Sequence, residues 1–236
     1  MHPPMHPPLH PPVARVLRDG IALPTSAGPV TIRHLSMGEL PLPTGRLVAC
    51  DPFVDPSAPP FARHVAPGRY PLSLGIARFA RNNDERIAAA WLTLSEAPVV
   101  AWEPARLEGV AESAPHDQSW FGVDSGTAGL LSAEAGERAL AHEPLPDELA
   151  AAMARTYQHT RSWALMTIAG ATQPELAAFS SGWGDGGYGS WWGLDATGAP
   201  AMFLTDLAVL DDDGDELAPS DAVANASRPW WKFWGA

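Results

Sequence analysis

The amino-acid sequence predicts an α+β fold with a mainly antiparallel β-sheet or sandwich core and one or two inserted helices. Three observations predict this class. Short apolar segments recur along the chain, and turns rich in glycine and proline separate them. One long segment, residues 146–163, has the apolar spacing of a helix. Strands and helices do not alternate regularly, so a doubly wound parallel sheet is not expected.

The strands are predicted from apolar alternation and from the turn residues that end each segment. The first, residues 45–50, ends at Asp51-Pro52, because the residue before a proline is restricted and proline donates no hydrogen bond. A strand at residues 120–124 is followed by a predicted turn at residues 125–129. The other predicted strands are 69–77, 86–94, 98–102, 163–168, 176–181, 189–194 and 200–210.

Two segments are predicted to be helical. The first begins near Ser132, whose side chain is a suitable N-cap. The second covers residues 146–163, and Pro146 suits its first turn. Leu149 and Met153 lie on one face of this helix, which therefore should pack against the core.

The chain is expected to divide into three parts. Residues 1–44 are predicted to form a disordered His-Pro tail and a loosely packed lead-in with a short strand or two. The tail repeats a four-residue unit, so either Met1 or Met5 is an acceptable start. Residues 45–210 should form the β-rich globular domain. Residues 211–236 should form an acidic turn and an aromatic C-terminal tail.

The charge balance and the cysteine content restrict the class of protein. Fifteen basic residues face 27 acidic ones, and Lys232 is the sole lysine, so nucleic-acid binding is not expected. The single cysteine, Cys50, excludes an intrachain disulfide, and its apolar neighbours indicate a buried, inert thiol. No run of about 18 apolar residues predicts a membrane span, and no secretory signal is recognisable. We therefore expect a cytoplasmic protein.

The segment Val123-Asp124-Ser125-Gly126-Thr127 resembles the active-site turn of aspartic proteases. That chemistry needs two carboxylates sharing a proton, and no second Asp-Thr/Ser-Gly occurs, so a second copy of the chain would have to supply it. Ser125 is also a candidate nucleophile, although it lacks the Gly-x-Ser-x-Gly frame of a nucleophile elbow. The structural alternative is a tight turn in which Asp124 caps backbone amides.

Residues 182–188, with the sequence Gly-Trp-Gly-Asp-Gly-Gly-Tyr, form a glycine-rich loop. Glycines permit positive φ, so bare amides of this loop are candidates for holding an anion. The alternative is a strained hairpin in which Asp185 bonds its own backbone. The Gly-Lys-Ser/Thr of a phosphate-binding P-loop is missing.

Aromatic residues accompany this loop in the sequence. Trp183, Tyr188, Trp191 and Trp192, if exposed, would make a stacking platform for a sugar or a peptide. If buried, they belong to the core, which is the commoner place for large aromatic side chains. A second aromatic group, residues 230–234, is expected to dock on the domain itself.

Three aspartates follow or border predicted strands. If Asp124, Asp185 and Asp206 converge, their oxygens would make a ligand set for a hard cation. Spacing along the chain does not establish such convergence, so the metal site is a hypothesis. We do expect the Asp-Ser-Gly bend and the glycine-rich loop to be hairpin corners of a single sheet, brought near each other by strand pairing.

An ordered set of motifs extends over most of the chain. It comprises residues 45–53, 67–71, 123–129 and 182–188, followed by 192–195 and then Thr205-Asp206. The set resembles the bacterial domain-of-unknown-function family 4241 over roughly residues 45–210. The resemblance implies a shared architecture. It implies no activity, so it assigns no catalytic residue.

Two classes of function follow from these motifs. The first is a non-catalytic binding or interaction protein for a protein partner or small ligand, using Trp183, Asp185, Tyr188, Trp191 and Trp192. The second is a hydrolase that uses Asp124, Ser125, Asp185 and Asp206, with or without a metal ion. Binding is favoured, because the sequence supplies no complete nucleophile–base pair or ligand set. The sequence identifies no cofactor.

Overall fold

The computed structural model of the protein describes residues 11–210. These residues form thirteen strands, two α-helices and two short 3₁₀ helices, and the strands pair antiparallel. The predicted α+β class is therefore confirmed. The His-Pro repeat, except its last two residues, and the whole segment 211–236 lie outside the described residues. No helix within 11–210 is long and apolar enough to cross a membrane.

A seven-stranded antiparallel sheet forms one layer of the fold. Its strand order is β1-β2-β4-β5-β13-β12-β6. The strands are β1 (Ala22–Leu23), β2 (Val30–Leu42), β4 (Gly68–Phe79), β5 (Glu85–Thr93), β6 (Ala101–Pro104), β12 (Ser190–Leu194) and β13 (Pro200–Asp206). At the centre of the sheet, β5 from the first half of the chain pairs with β13, the last strand of the described residues.

Two smaller sheets lie against this layer. The first has four strands in the order β3-β8-β10-β9, and the second pairs β7 with β11. Their strands are β3 (Leu47–Cys50), β7 (Phe121–Val123), β8 (Thr127–Ser132), β9 (Trp163–Met166), β10 (Leu176–Ser180) and β11 (Gly186–Tyr188). The two sheets are joined through the bend between β7 and β8.

The main hydrophobic core lies between the large sheet and the two smaller ones. Leu72 and Phe203 contribute from the large sheet, Leu130 and Phe179 from the four-stranded sheet, and Val123 from the two-stranded sheet. All five side chains are buried. Apolar side chains on facing sheets thus fill the space between the layers, as in other β-sandwiches.

Both main sheets are also covered on their outer faces. A 3₁₀ helix, Pro12–Leu17, packs its Val13 and Val16 against the large sheet. Helices α1 (Ala133–Leu140) and α2 (Leu145–Ala154) cover the four-stranded sheet. Because β5 has covered faces on both sides, its sequence is a nearly continuous apolar run.

Strand β2 is longer than the short strand or two expected in residues 13–44. It has thirteen residues and pairs with β4 along its length, with a bulge at Gly38. The four prolines in residues 13–44, of which Pro41 lies within β2, argued against a long strand in the sequence. Pro41 is tolerated in β2 because β1 pairs with the other side of the strand only at Val30 and Thr31, so the missing amide is not needed there.

The second helix is shorter than the predicted residues 146–163 and ends at Ala154. Thr156 ends it by bonding across the following turn: its Oγ1 accepts from the Trp163 amide at 2.8 Å and donates to the Trp163 carbonyl at 2.5 Å. His159 and Thr160 have positive φ values of 49° and 76°, which are incompatible with a right-handed helix.

The predicted turn at residues 125–129 is also shorter in the structure, because β8 begins at Thr127. The first helix begins as predicted: Ser132 is the N-cap and its side chain accepts a hydrogen bond from the Ala135 amide.

Helix α1 provides a test of this packing. Gly136→Ala would normally stabilise a helix interior, by up to about 1 kcal/mol. Here a Cβ atom would lie 2.5 Å from the Pro56 carbonyl oxygen. We therefore expect the free energy of unfolding to fall by about 1–3 kcal/mol, as overpacking does elsewhere. Urea denaturation measures it, with the exposed neighbour Glu137→Ala as the control. An increase in stability would contradict the close contact between α1 and the 56–57 segment.

Candidate functional site

The bend between β7 and β8 is held by a buried carboxylate that follows β3. Asp51 is 3% exposed. Its Oδ2 accepts hydrogen bonds from the amides of Asp124 at 2.9 Å and Ser125 at 2.7 Å. Its Oδ1 accepts from the Ser125 hydroxyl at 2.8 Å and the Phe53 amide at 3.0 Å. Asp51 therefore ties the end of β3 to a bend 73 residues later in the chain.

These four hydrogen bonds define what Asp51 and Ser125 can do chemically. An ionised carboxylate has about four lone-pair positions, and here four donors use them. Asp51 therefore has no vacant lone pair with which to accept a proton from a substrate. Ser125 Oγ is a donor to a saturated carboxylate and has no histidine partner among residues 11–210. The pair therefore has the geometry of a structural clamp.

The Asp-Ser-Gly bend and the glycine-rich loop are neighbours in space. Strand β11 pairs with β7, so that Gly186 lies opposite Val123. The Ser181 amide also donates to the Gly126 carbonyl at 3.0 Å. Their proximity was expected, but the expectation that both are corners of one sheet is wrong. The residues before the Asp-Ser-Gly bend form β7 of the two-stranded sheet, and the residues after it form β8 of the four-stranded sheet.

The glycine-rich loop is rigidly braced from within. Tyr188 Oη donates to the carbonyls of Ser181 and Gly184, at 3.0 and 2.6 Å. Ser181 Oγ donates to the same Gly184 carbonyl at 2.9 Å. Gly182 has a φ of +48°, and a Cβ atom there would lie 2.0 Å from the Leu207 carbonyl oxygen. Glycine is thus required at residue 182 by both backbone conformation and space.

Tyr188 is a support of this loop. It is 4% exposed. Burial raises the pKa of its phenol, and the negative charges of Asp185 and Asp206 act in the same direction. The side chain therefore stays a neutral hydrogen-bond donor at neutral pH, as its two contacts to carbonyl oxygens require.

Trp183 is exposed at the tip of the loop. Its side chain is 50% exposed, and its ring centroid lies 5.6 Å from that of Phe79. The Arg86 guanidinium lies 5.0 Å from the indole ring, and Arg86 Nε also donates to Asp84 at 2.9 Å. Trp183 thus forms a supported aromatic surface with a paired guanidinium beside it. Sequence reasoning did not identify Arg86, because it precedes Trp183 by almost a hundred residues.

Trp191 and Trp192 do not extend the Trp183 surface. Trp192 is 1% exposed and packs in the main core against Phe61 and Phe203. Trp191 is partly exposed, and its ring lies 4.6 Å from the His116 ring. The two tryptophans are adjacent in β12, so their side chains point to opposite faces of the sheet. Burial lowers the pKa of His116, although its Nε2 lies 3.0 Å from the Ser190 carbonyl oxygen.

The three candidate aspartates have separate environments. Asp124 and Asp185 are exposed, and Asp206 accepts a hydrogen bond from the Ala208 amide at 2.9 Å. Within residues 11–210, no group of three or more His, Cys, Asp or Glu side chains is arranged to hold a metal ion. Asp185 and Asp206 do lie close enough to Tyr188 to affect its ionisation.

Comparison with known proteins gives one match. The model of a family described as a protein of unknown function (DUF4241) matches residues 40–205. This range includes Asp51, the bend at Asp124 and the loop carrying Trp183. No curated protein and no solved structure matches the chain.

Removal of the Asp51 carboxylate tests the clamp. Asp51→Ala leaves three backbone amides without their acceptor, and we expect the free energy of unfolding to fall by about 3 kcal/mol. Ser125→Ala removes one hydroxyl donor and should lower it by about 1 kcal/mol. Urea denaturation at pH 7 measures both changes.

Asp195→Ala is the matched control for this comparison. Asp195 Oδ1 also accepts from three donors, on Thr197 and Ala199, but in an exposed hairpin where water replaces the carboxylate. Its effect should be clearly smaller than that of Asp51→Ala. Equal effects would show that burial of Asp51 does not matter for stability.

Proposed function

We propose that this chain, which belongs to the DUF4241 family of proteins of unknown function, is a non-catalytic binding protein that holds a protein partner on Trp183. The observation that carries the proposal is the half-exposed indole of Trp183 on a loop that side-chain hydrogen bonds hold. The partner segment would place an apolar or aromatic side chain on this ring.

The chemistry of Trp183 and its neighbour supports a binding role. Tryptophan and arginine are enriched among the residues that dominate the energy of protein interfaces. An exposed tryptophan offers a large apolar area together with a hydrogen-bond donor. Arg86, which lies over the ring and is paired with Asp84, adds polar groups there without a net charge.

The bracing of the loop supports the proposal energetically. Binding loses affinity when side chains and loops must be ordered on association. Here the Tyr188 and Ser181 hydrogen bonds hold the loop, and Phe79 supports the ring from one side. Little further ordering of Trp183 is needed when a partner binds.

The hydrolase alternative has weaker support. It needs a nucleophile with a base, or carboxylates gathered for acid–base or metal chemistry. Ser125 donates to Asp51, whose other lone pairs already accept amide hydrogens. In the described part of the chain, no cluster of three or more metal-ligating side chains includes Asp124, Asp185 or Asp206. No geometry within residues 11–210 therefore favours hydrolysis over binding.

A displayed library of random peptides tests the proposal. Peptides selected on the full chain are measured by calorimetry against wild type and Trp183→Ala. Loss of the aromatic surface should weaken binding by about tenfold or more, which is about 1.4 kcal/mol. Trp120→Ala is the matched control, because Trp120 is exposed to a similar extent, at 46%.

The control variant should keep its affinity within about twofold, since truncation of residues outside an interface is near neutral. Thermal unfolding of each variant verifies that it is folded. Selected peptides that bind Trp183→Ala as tightly as wild type would refute the proposed function.

A further inference from the structure

We propose that the protein has a second binding site, distinct from Trp183, which takes a small organic cation. The site is a cleft beside the Asp51 clamp, between the loop that follows β3 and strand β7. Its ligand would carry a primary ammonium or a guanidinium group on a short aliphatic stem. We call it the Asp51 cleft.

The Asp51 cleft is a half-open depression of ligand size. Its volume is about 300 Å³, at the small end of the range for small-molecule pockets. Its buried floor includes Cys50, Asp51 and Phe121. Three of the four hydrogen bonds of Asp51 connect the two walls, and the fourth holds the loop after β3 to itself. The cleft is therefore a fixed part of the fold.

The charges that line the cleft have one sign. Asp51, Asp55 and Asp124 contribute to the lining, and none of the lining residues is lysine, arginine or histidine. Burial raises the pKa of the Cys50 thiol, and the charges of Asp51 and Asp55 act in the same direction. The floor therefore lies in a negative potential, which opposes an anion and attracts a cation.

Asp124 is the carboxylate with both oxygens available to meet a ligand. Asp51 is saturated by the clamp, and Asp55 accepts from the amide and the hydroxyl of Ser57 through its Oδ1. The backbone amide of Asp124 bonds to Asp51, whereas its exposed side chain makes no hydrogen bond or ion pair with residues 11–210. A cation that enters the cleft can therefore pair with Asp124 without breaking an existing contact.

The rim supplies an apolar wall and an aromatic ring. Val54 is 57% exposed and Trp120 is 46% exposed, and both line the cleft. The Trp120 ring packs closely on β11 and the residue after it: Cβ atoms at Gly187 and Gly189 would lie 3.2 and 2.7 Å from it. The ring is therefore held in place.

This combination determines the class of ligand. A cation near an aromatic face is attracted by the ring quadrupole, and an aliphatic stem gains by contact with apolar surface. A neutral molecule would use the apolar wall but leave Asp124 without an ionic partner. An anion would be repelled by three like charges. Only a cation with an aliphatic stem can pair with the carboxylate and also contact the apolar wall.

Calorimetric titration of the full chain tests the proposal. The probes are agmatine and 1,5-diaminopentane, with 1,5-pentanediol and glutarate as neutral and anionic analogues of similar length. We expect saturable one-to-one binding of the two cations that weakens as salt is raised. We expect no measurable binding of the analogues.

Variants locate the site. Asp124→Asn and Trp120→Ala should each weaken agmatine binding by about fivefold or more, since each removes one attraction for the cation. Asp185→Asn and Trp183→Ala change the same residue types on the neighbouring loop, outside the cleft, and should stay within about twofold of wild type. Asp124→Asn retains the backbone amide that bonds Asp51, so its fold is preserved.

Three results would overturn the proposal. The first is pentanediol binding as tightly as the diamine, the second is equal affinity in all variants, and the third is an Asp185→Asn effect as large as that of Asp124→Asn. The third would reveal diffuse attraction to an acidic chain. Because Trp183→Ala is a control here and the decisive variant for the peptide experiment, failure of one proposal is distinguishable from failure of the other.

Discussion

The buried Asp51 carboxylate is the interaction on which the arrangement of the smaller sheets depends. It lies where β3 ends, and β3 pairs with β8 so that Cys50 faces Gly129. Its hydrogen bonds reach the amides of Asp124 and Ser125, between β7 and β8. One side chain thus fixes the angle at which the chain leaves the two-stranded sheet and enters the four-stranded one. A charge so deeply buried is tolerated because donors surround it.

Local signals in the sequence predicted most elements of the fold. Apolar alternation placed β4 and β5 within one or two residues, and Ser132 was recognised as the N-cap of α1. The predicted bounds were wrong where contacts between residues distant in the sequence determine how far a strand or helix extends. Pro41 suggests a break, yet β2 continues through it because the strand has an unpaired side. Helix α2 ends early because Thr156 bonds to Trp163 across the turn.

The candidate site was predictable in part. The Asp-Ser-Gly bend and the glycine loop were recognised as turns, and pairing of β7 with β11 brings them together. The contact of Asp51 with Ser125 was missed, because a hydrogen bond across 74 residues leaves no local pattern. Exposure of Trp183 and burial of Trp192 were equally unpredictable. Burial of Trp192 depends on which face of the sheet the core occupies, and exposure of Trp183 depends on how its loop packs.

The two proposed surfaces share β11 as a support. The loop before this strand carries Trp183, and Trp120 packs across Gly187 within it. Cys50, at the end of β3, is the chain's single cysteine, and it is buried beside Asp51 and hard to ionise. Only the thiolate attacks alkylating reagents at a useful rate, so the native sulfur should be inert to them in the folded protein. One surface position changed to cysteine would then accept a fluorescent or spin label selectively, with the natural residue 50 left in place.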